Sequence, residues 1–265
     1  MRRAAMAGLA AAGALAFPAL ADEADHITLE YNGTLAGLPV LRAGFDASLE
    51  PDAYSGAVTF RSAGLAGFFK TARVQGAGHG GRRAAGFDPA AYTHVETTGR
   101  KTRTVELTYA EDDVDVDATP PFGSPGDPAP TAAQRREALD PFTAILEIMM
   151  GAGEAPCART VPIFDSKLRY DLDFHPAGSD EDFRTPGYRG PARRCEVYYR
   201  PIAGYDPEDL ADPEVYATPI SFWLAEVAPG VWAPARINAR FDVAFLSITV
   251  AVRLTKVETT FSDPT

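Results

Sequence analysis

The stretch Phe142-Thr143-Ala144-Ile145-Leu146-Glu147-Ile148-Met149-Met150 carries apolar side chains at the helical spacings i, i+3, i+4 and i+7, and at most positions between them. Asp140-Pro141 just before it fits an N-cap with proline at the first helical position, and Gly151 fits a stop. Upstream, Thr131 and Gln134 have the spacing of a capping box, so a helical region is expected near 131–150. A helix that is apolar nearly all round must be buried on nearly all sides. Lying on one face of a sheet, it would show a polar stripe. The remainder of the chain therefore has to surround it.

That remainder reads as strand. From His26 to Ala118, candidate strands are Ile27–Leu35, Val40–Leu49, Tyr54–Arg61, Phe69–Val74, Tyr92–Thr98, Thr102–Tyr109 and Val114–Ala118. Within Val105-Glu106-Leu107-Thr108-Tyr109 the alternation puts Val105, Leu107 and Tyr109 on one face. Thr119 to Pro130 is crowded with proline and glycine and reads as a loop within one domain. Strands resume with Thr160–Phe164, Leu168–Phe174, Glu196–Arg200, Ser221–Val227, Val231–Ile237 and Ala244–Val257. Asp165-Ser166 marks a hairpin turn, and Pro229-Gly230 supplies the centre of a type II turn. The polar segment Pro176–Pro191 is expected to be an exposed loop. The expectation is one mainly β domain, residues 22–265, of about a dozen strands around one principal helix.

The N-terminus, Met1-Arg2-Arg3 followed by an apolar run to Phe17 and then Pro18-Ala19-Leu20-Ala21, has the pattern of a secretory signal peptide over residues 1–21, cleaved after Ala21. The apolar run falls short of the roughly 20 residues a bilayer-spanning helix needs. Export to an oxidising compartment would let the only two cysteines, Cys157 and Cys195, pair. Such a bridge stabilises by roughly 3 to 4 kcal/mol in the chain-entropy account. Two buried thiols or half of a metal site are the competing readings, the latter weak without further ligands at short spacing. The whole chain has a net charge of −11. Loss of Arg2 and Arg3 leaves 23 basic residues against 36 acidic ones, a net charge of −13. Nucleic acid and anionic membrane surfaces are poor partners on that count.

Motifs for chemistry are few. The cluster Gly76-Ala77-Gly78-His79-Gly80-Gly81 lacks the Lys-Ser/Thr pair of a phosphate loop and reads as a hairpin tip. Asp113, Asp115 and Asp117 open like a calcium loop, but Ala118 and Ser124 stand at its two diagnostic positions, so a strand with outward aspartates is expected. His26, His79, His94 and His175 are scattered singly and read as surface residues, and no metal or cofactor is expected. No nucleophile elbow or local cysteine signature is present, and a non-enzymatic protein is expected. Phe142, Ile145, Leu146, Met149, Trp223 and Trp232 are candidates to line a pocket for a lipid or other apolar ligand, against the plainer reading that they are core.

Several segments together carry a family resemblance: Tyr31 to Gly37, Asp88-Pro89 before Tyr92, Leu139-Asp140-Pro141-Phe142-Thr143-Ala144-Ile145, Cys157, Val161-Pro162-Ile163-Phe164-Asp165, Tyr170-Asp171-Leu172, Cys195, Ile202-Ala203-Gly204-Tyr205, Trp223, and Trp232 to Ile237. Over essentially the whole mature length the chain resembles the domain of unknown function 3108 family of exported Gram-negative proteins. The resemblance implies a β-spiral or unclosed half-barrel curled around a helix, similar to periplasmic envelope-integrity proteins and more distantly to lipoprotein carriers, with no established activity. It implies a periplasmic location. Ser166 departs from the family's usual glycine, which puts strain at that turn. The leading functional expectation is an envelope-maintenance scaffold that binds a protein partner, and the alternative is a carrier or sensor of an apolar ligand. An unfilled concavity beside Phe142, Ile145 and Met149 favours the carrier.

Overall fold

The computed structural model describes residues 24–64, 72–83, 86–151, 153, 155–243 and 246–261. The expected leader, its cleavage site and the start of the expected strand at Phe69 lie outside the described residues. Strands are β1 (Asp25–Leu35), β2 (Leu38–Leu49), β3 (Ala53–Ser62), β4 (Ala72–Arg83), β5 (Gly86–Thr98), β6 (Lys101–Tyr109) and β7 (Val114–Thr119), followed by α1 (Ala132–Arg136) and α2 (Pro141–Met150). Then come β8 (Arg159–Phe164), β9 (Arg169–Thr185), β10 (Tyr188–Ala203), α3 (Glu214–Ala217), β11 (Ile220–Ala228), β12 (Val231–Val243) and β13 (Leu246–Thr260).

Among the described residues the thirteen strands form one antiparallel sheet in the order β7-β6-β5-β4-β3-β2-β1-β13-β12-β11-β10-β9-β8. Two meanders are thus joined where the first strand pairs the last, with Ile27 opposite Thr259 and Leu35 opposite Val250. The edge strands β7 and β8 do not pair with each other, so the curl is an unclosed half-barrel. The exposed edge of β8 is blunted by the chain between the helices: Leu139 N–H donates to Pro162 O at 3.0 Å, and Phe164 N–H donates to Leu139 O at 2.9 Å. On the β7 side, Arg135 of α1 holds Asp113 with two hydrogen bonds of 2.8 and 2.6 Å. The wall of Asp115 and Asp117 faces water while Val114 is buried, as the alternation predicts.

The helix occupies the concavity. Phe142, Thr143, Ala144, Leu146, Ile148 and Met149 are all buried. Phe142 stacks on Phe45 with ring centroids 5.2 Å apart. What lets the sheet come this close is glycine. Gly56 and Gly78 are cross-strand partners on the inner face, and a Cβ on either would stand 2.6 or 2.8 Å from the Phe142 ring. The glycine cluster is therefore not a hairpin tip. It lies inside β4, where Gly78 leaves room for the helix, Gly76 for the Tyr92 side chain and Gly80 for the backbone at Asp88.

Asp140 caps the helix from a fully buried position, its Oδ1 accepting from Phe142 N at 2.9 Å and Thr143 N at 3.0 Å. Thr143 Oγ1 donates to its Oδ2 at 2.5 Å, and Tyr54 on β3 bonds the same hydroxyl at 2.7 Å, which ties the cap to the wall. Burial pushes the Asp140 carboxyl up to about 6, against the opposing pull of its hydrogen bonds from Thr143 and Phe142. At the other end, Arg159 donates to the carbonyls of Glu147, at 2.6 Å, and Ile148, compensating the helix C-terminus.

Two further expectations are corrected in detail. The helical region 131–150 is two helices, because the capping residue Asp140 and Pro141 restart the turn after Leu139 pairs with β8. Pro176–Pro191 is not a loop: β9 and β10 run through it as a long hairpin, with Phe183 buried against Trp223. One wet face made it read as coil. Ser166 does adopt a positive φ of 99°, and Asp165 Oδ1 supports the turn by accepting from Lys167 N and Leu168 N at 3.1 and 2.8 Å. Cys157, just beyond α2, is disulfide-bonded to Cys195 on β10, with Cα atoms 5.3 Å apart.

Urea unfolding should show Gly78→Val destabilised by about 1 to 3 kcal/mol through overpacking against Phe142. Ser166→Gly should be stabilised by roughly 1 kcal/mol as the strain at positive φ is relieved. Because the folded-state value of Asp140 lies above its unfolded value near 4, the ionised carboxyl is a cost that is full above about pH 6 and shrinks as pH falls. Moving from pH 7 to pH 5 should therefore stabilise the protein by about 1 kcal/mol relative to Asp140→Asn, and equal pH dependence of the two would contradict this assignment.

Candidate functional site, an apolar cleft beside the central helix

Helix α2 has two apolar faces, and only one is fully packed. Phe142, Leu146 and Met149 point into a cluster with Ile27, Leu29, Phe45, Tyr54 and Leu107. Ala144 and Ile148 belong to a second cluster with Ile163, Phe174, Cys195, Val197, Phe222 and Leu224. Between the two, along Pro141, Ala144, Ile145 and Ile148, runs a cleft of about 310 Å³. Its far wall comes from both meanders: Leu41, Phe45, Val58 and Phe60 on one side, Ile163, Leu172, Phe222, Ile237 and Val252 on the other.

Among the described residues no charged side chain lines the cleft. Its polar side-chain groups are the phenols of Tyr31 and Tyr170, neither of which is hydrogen-bonded among the described residues. Burial raises both phenols well above the ordinary tyrosine range, so they stay neutral donors. Tyr170 is fixed by stacking on Tyr199 at 4.6 Å. A dry wall with a pair of uncommitted donors can hold an extended hydrocarbon and meet a single oxygen.

Of the six residues expected to line a pocket, Ile145 does so. Phe142, Leu146 and Met149 are fully buried in the first cluster and do not line the cleft. Trp223 packs on the first cluster, stacked on Phe183 at 6.3 Å with Arg236 over its ring, and does not line the cleft. Trp232 borders a separate groove with Pro191 and Arg193. The residues that sequence reasoning missed are strand positions: Leu41, Phe60, Ile237 and Val252. Alternation placed them inward, but nothing in it distinguishes an inward residue that touches the helix from one that faces empty space.

Asp140 is the N-cap of α2 with Pro141 in its first turn, Asp165 accepts from Leu168 N in the turn after β8, and Gly230 has a φ of 74° between β11 and β12. His26, His79 and His175 are exposed, whereas His94 is half-buried with Nδ1 unpartnered, and burial lowers its pKa. No group of three or more His, Cys, Asp or Glu that could hold a metal occurs among the described residues. Nor is any described helix long and apolar enough to cross a membrane.

No curated protein matches the chain. A solved structure, the beta-barrel-like protein of domain of unknown function DUF1849 from Brucella abortus, is similar over 91% of this chain and 99% of that one, with a TM-score of 0.50 and 10% identity. That likeness is one of fold, and it agrees with the unclosed curl. Residues 27–250 match the family described as protein of unknown function (DUF3108), a span that takes in β1, both meanders, the capped helix and the disulfide, and the chain belongs to that family.

Proposed function

We propose that this protein holds a single extended apolar ligand, such as an acyl chain, in the cleft beside α2, and acts as its carrier or sensor without catalysing a reaction on it. The observation that carries the reading is the unfilled apolar space of about 310 Å³ along Ile145, at the lower end of the usual range for small-molecule sites. Each methylene moved there from water contributes about 0.8 kcal/mol, so about ten match the roughly 8 kcal/mol of micromolar affinity. A scaffold gripping a partner protein through the curved sheet calls for a filled concavity. On the Ile145 face the concavity is open, which favours the ligand holder. Export and a periplasmic site of action fit the N-terminal pattern and the disulfide, and they supply a compartment where apolar molecules need a carrier.

Native mass spectrometry of protein purified without detergent should show an added mass in the range of a lipid, or uptake of a fluorescent fatty acid by emptied protein. Ile145→Trp, which places an indole in the cleft, should weaken that uptake at least tenfold while leaving the unfolding midpoint within about 1.5 kcal/mol of the parent. A clean apo mass together with no uptake would remove the carrier reading.

A further inference from the structure

On the sheet face away from the helix, one cross-strand row is almost entirely arginine. Arg73 on β4 is paired with Arg61 on β3, and Arg61 with Arg42 on β2. Asn32 on β1 joins Arg42 to Arg253 on β13, and Arg253 is paired with Arg236 on β12. At about 4.8 Å per strand the six positions span roughly 24 Å. Like charges directly opposite each other destabilise a sheet, so the row costs stability unless something answers it. Arg42, Arg61, Arg73 and Arg253 are exposed, and none forms an ion pair among the described residues. The nearby Glu30 faces Lys256 at 3.8 Å. A groove of about 460 Å³ is lined by Arg42, Arg61 and Arg73, three cations against the single carboxylate of Glu30.

The same end of the sheet exposes apolar side chains. Leu35 and Leu38 are 38% and 54% exposed, two of the five large hydrophobic residues that stand out in solvent among those described. Leu35 and Leu38 flank the β1–β2 turn, three and four residues beyond Asn32 and Arg42, or about 10 to 13 Å along the strands. That offset matches the layering of a bilayer surface, where apolar groups enter the headgroup boundary by about 5 to 10 Å while cations remain at the phosphates. Arginine suits phosphate because its planar fork donates two parallel hydrogen bonds.

We infer that this end of the half-barrel docks on an anionic phospholipid membrane, with the arginine row on headgroup phosphates and the β1–β2 turn dipping into the acyl boundary. The net charge of −11 does not oppose this, because the row is local and screening confines distant carboxylates to about 10 Å at ordinary salt. A soluble polyanion would answer the arginines and leave Leu35 and Leu38 in water. The docking goes beyond the ligand reading and does not depend on it, although Leu41 and Phe60 of the cleft wall adjoin Arg42 and Arg61 in sequence.

The test is co-sedimentation of the purified protein with phosphatidylcholine vesicles, with and without phosphatidylglycerol, at low and at about 0.5 M salt. Binding is expected only to the anionic vesicles, falling with salt. The triple variant Arg42→Gln, Arg61→Gln, Arg73→Gln should bind roughly 100-fold more weakly, and Leu38→Ser several-fold more weakly. Ile145→Trp should bind vesicles as the parent does, which separates this outcome from failure of the cleft reading. Equal vesicle binding by the triple variant and the parent overturns the inference, as does indifference of the parent to phosphatidylglycerol or capture by soluble polyphosphate in preference to vesicles. Should the triple variant not fold, the salt dependence of the parent and Arg253→Gln decide the matter.

Discussion

The seat of Phe142 on Gly56 and Gly78 sets the distance between helix and sheet, and the rest of the architecture follows from that distance. A thirteen-stranded antiparallel sheet has one face that needs cover, and here the cover is a ten-residue helix. Only a sheet that curls can place most of its strands within reach of so short an element. Burying Phe142, Leu146 and Met149 contributes on the order of 1.5 to 3 kcal/mol each, and that gain is available only if the wall closes to van der Waals contact. Side chains on Gly56 and Gly78 would forbid it.

A consequence of wrapping a broad wall around a narrow rod is that the fit cannot be equally good on all sides. Phe142, Leu146 and Met149 take the well-packed side, and the stripe of Pro141, Ala144, Ile145 and Ile148 is left facing a gap bounded by both meanders. The gap survives because its walls are held independently of it. The disulfide from Cys157 to Cys195 pins the chain after the helix, Arg159 holds the last carbonyls of α2, and Asp140 ties its first turn to Tyr54 through Thr143. The cleft is thus an outcome of packing geometry, bordered by groups whose own roles are structural.

Much of the fold can be read from local pattern. The burial of α2, its cap at Asp140, the turn at Pro229-Gly230 and the inward set Val105 and Leu107 rest on periodicities and caps that act within a few residues. The misreadings have a common cause. Gly76 to Gly81 and Pro176 to Pro191 lack the apolar alternation that marks a strand, because in the first Phe142, Tyr92 and neighbouring backbone take the space side chains would fill and in the second one face is in water. Neither circumstance is visible without knowing what lies opposite.

The chain's own order of residues determined that a water-averse helix must be enclosed, that strands would enclose it, and that two cysteines were available to staple the result, since each of these is a property of short segments and their solvation. Tertiary structure alone decided where the enclosure is incomplete and which outward residues meet. Ile145 borders the cleft while Leu146 does not, and Arg42, Arg61, Arg73 and Arg253 fall in one row, because register between strands far apart in sequence, Asn32 against Arg253 among them, is set by the joining of β1 to β13. Long-range pairing has no trace in any window of neighbouring residues.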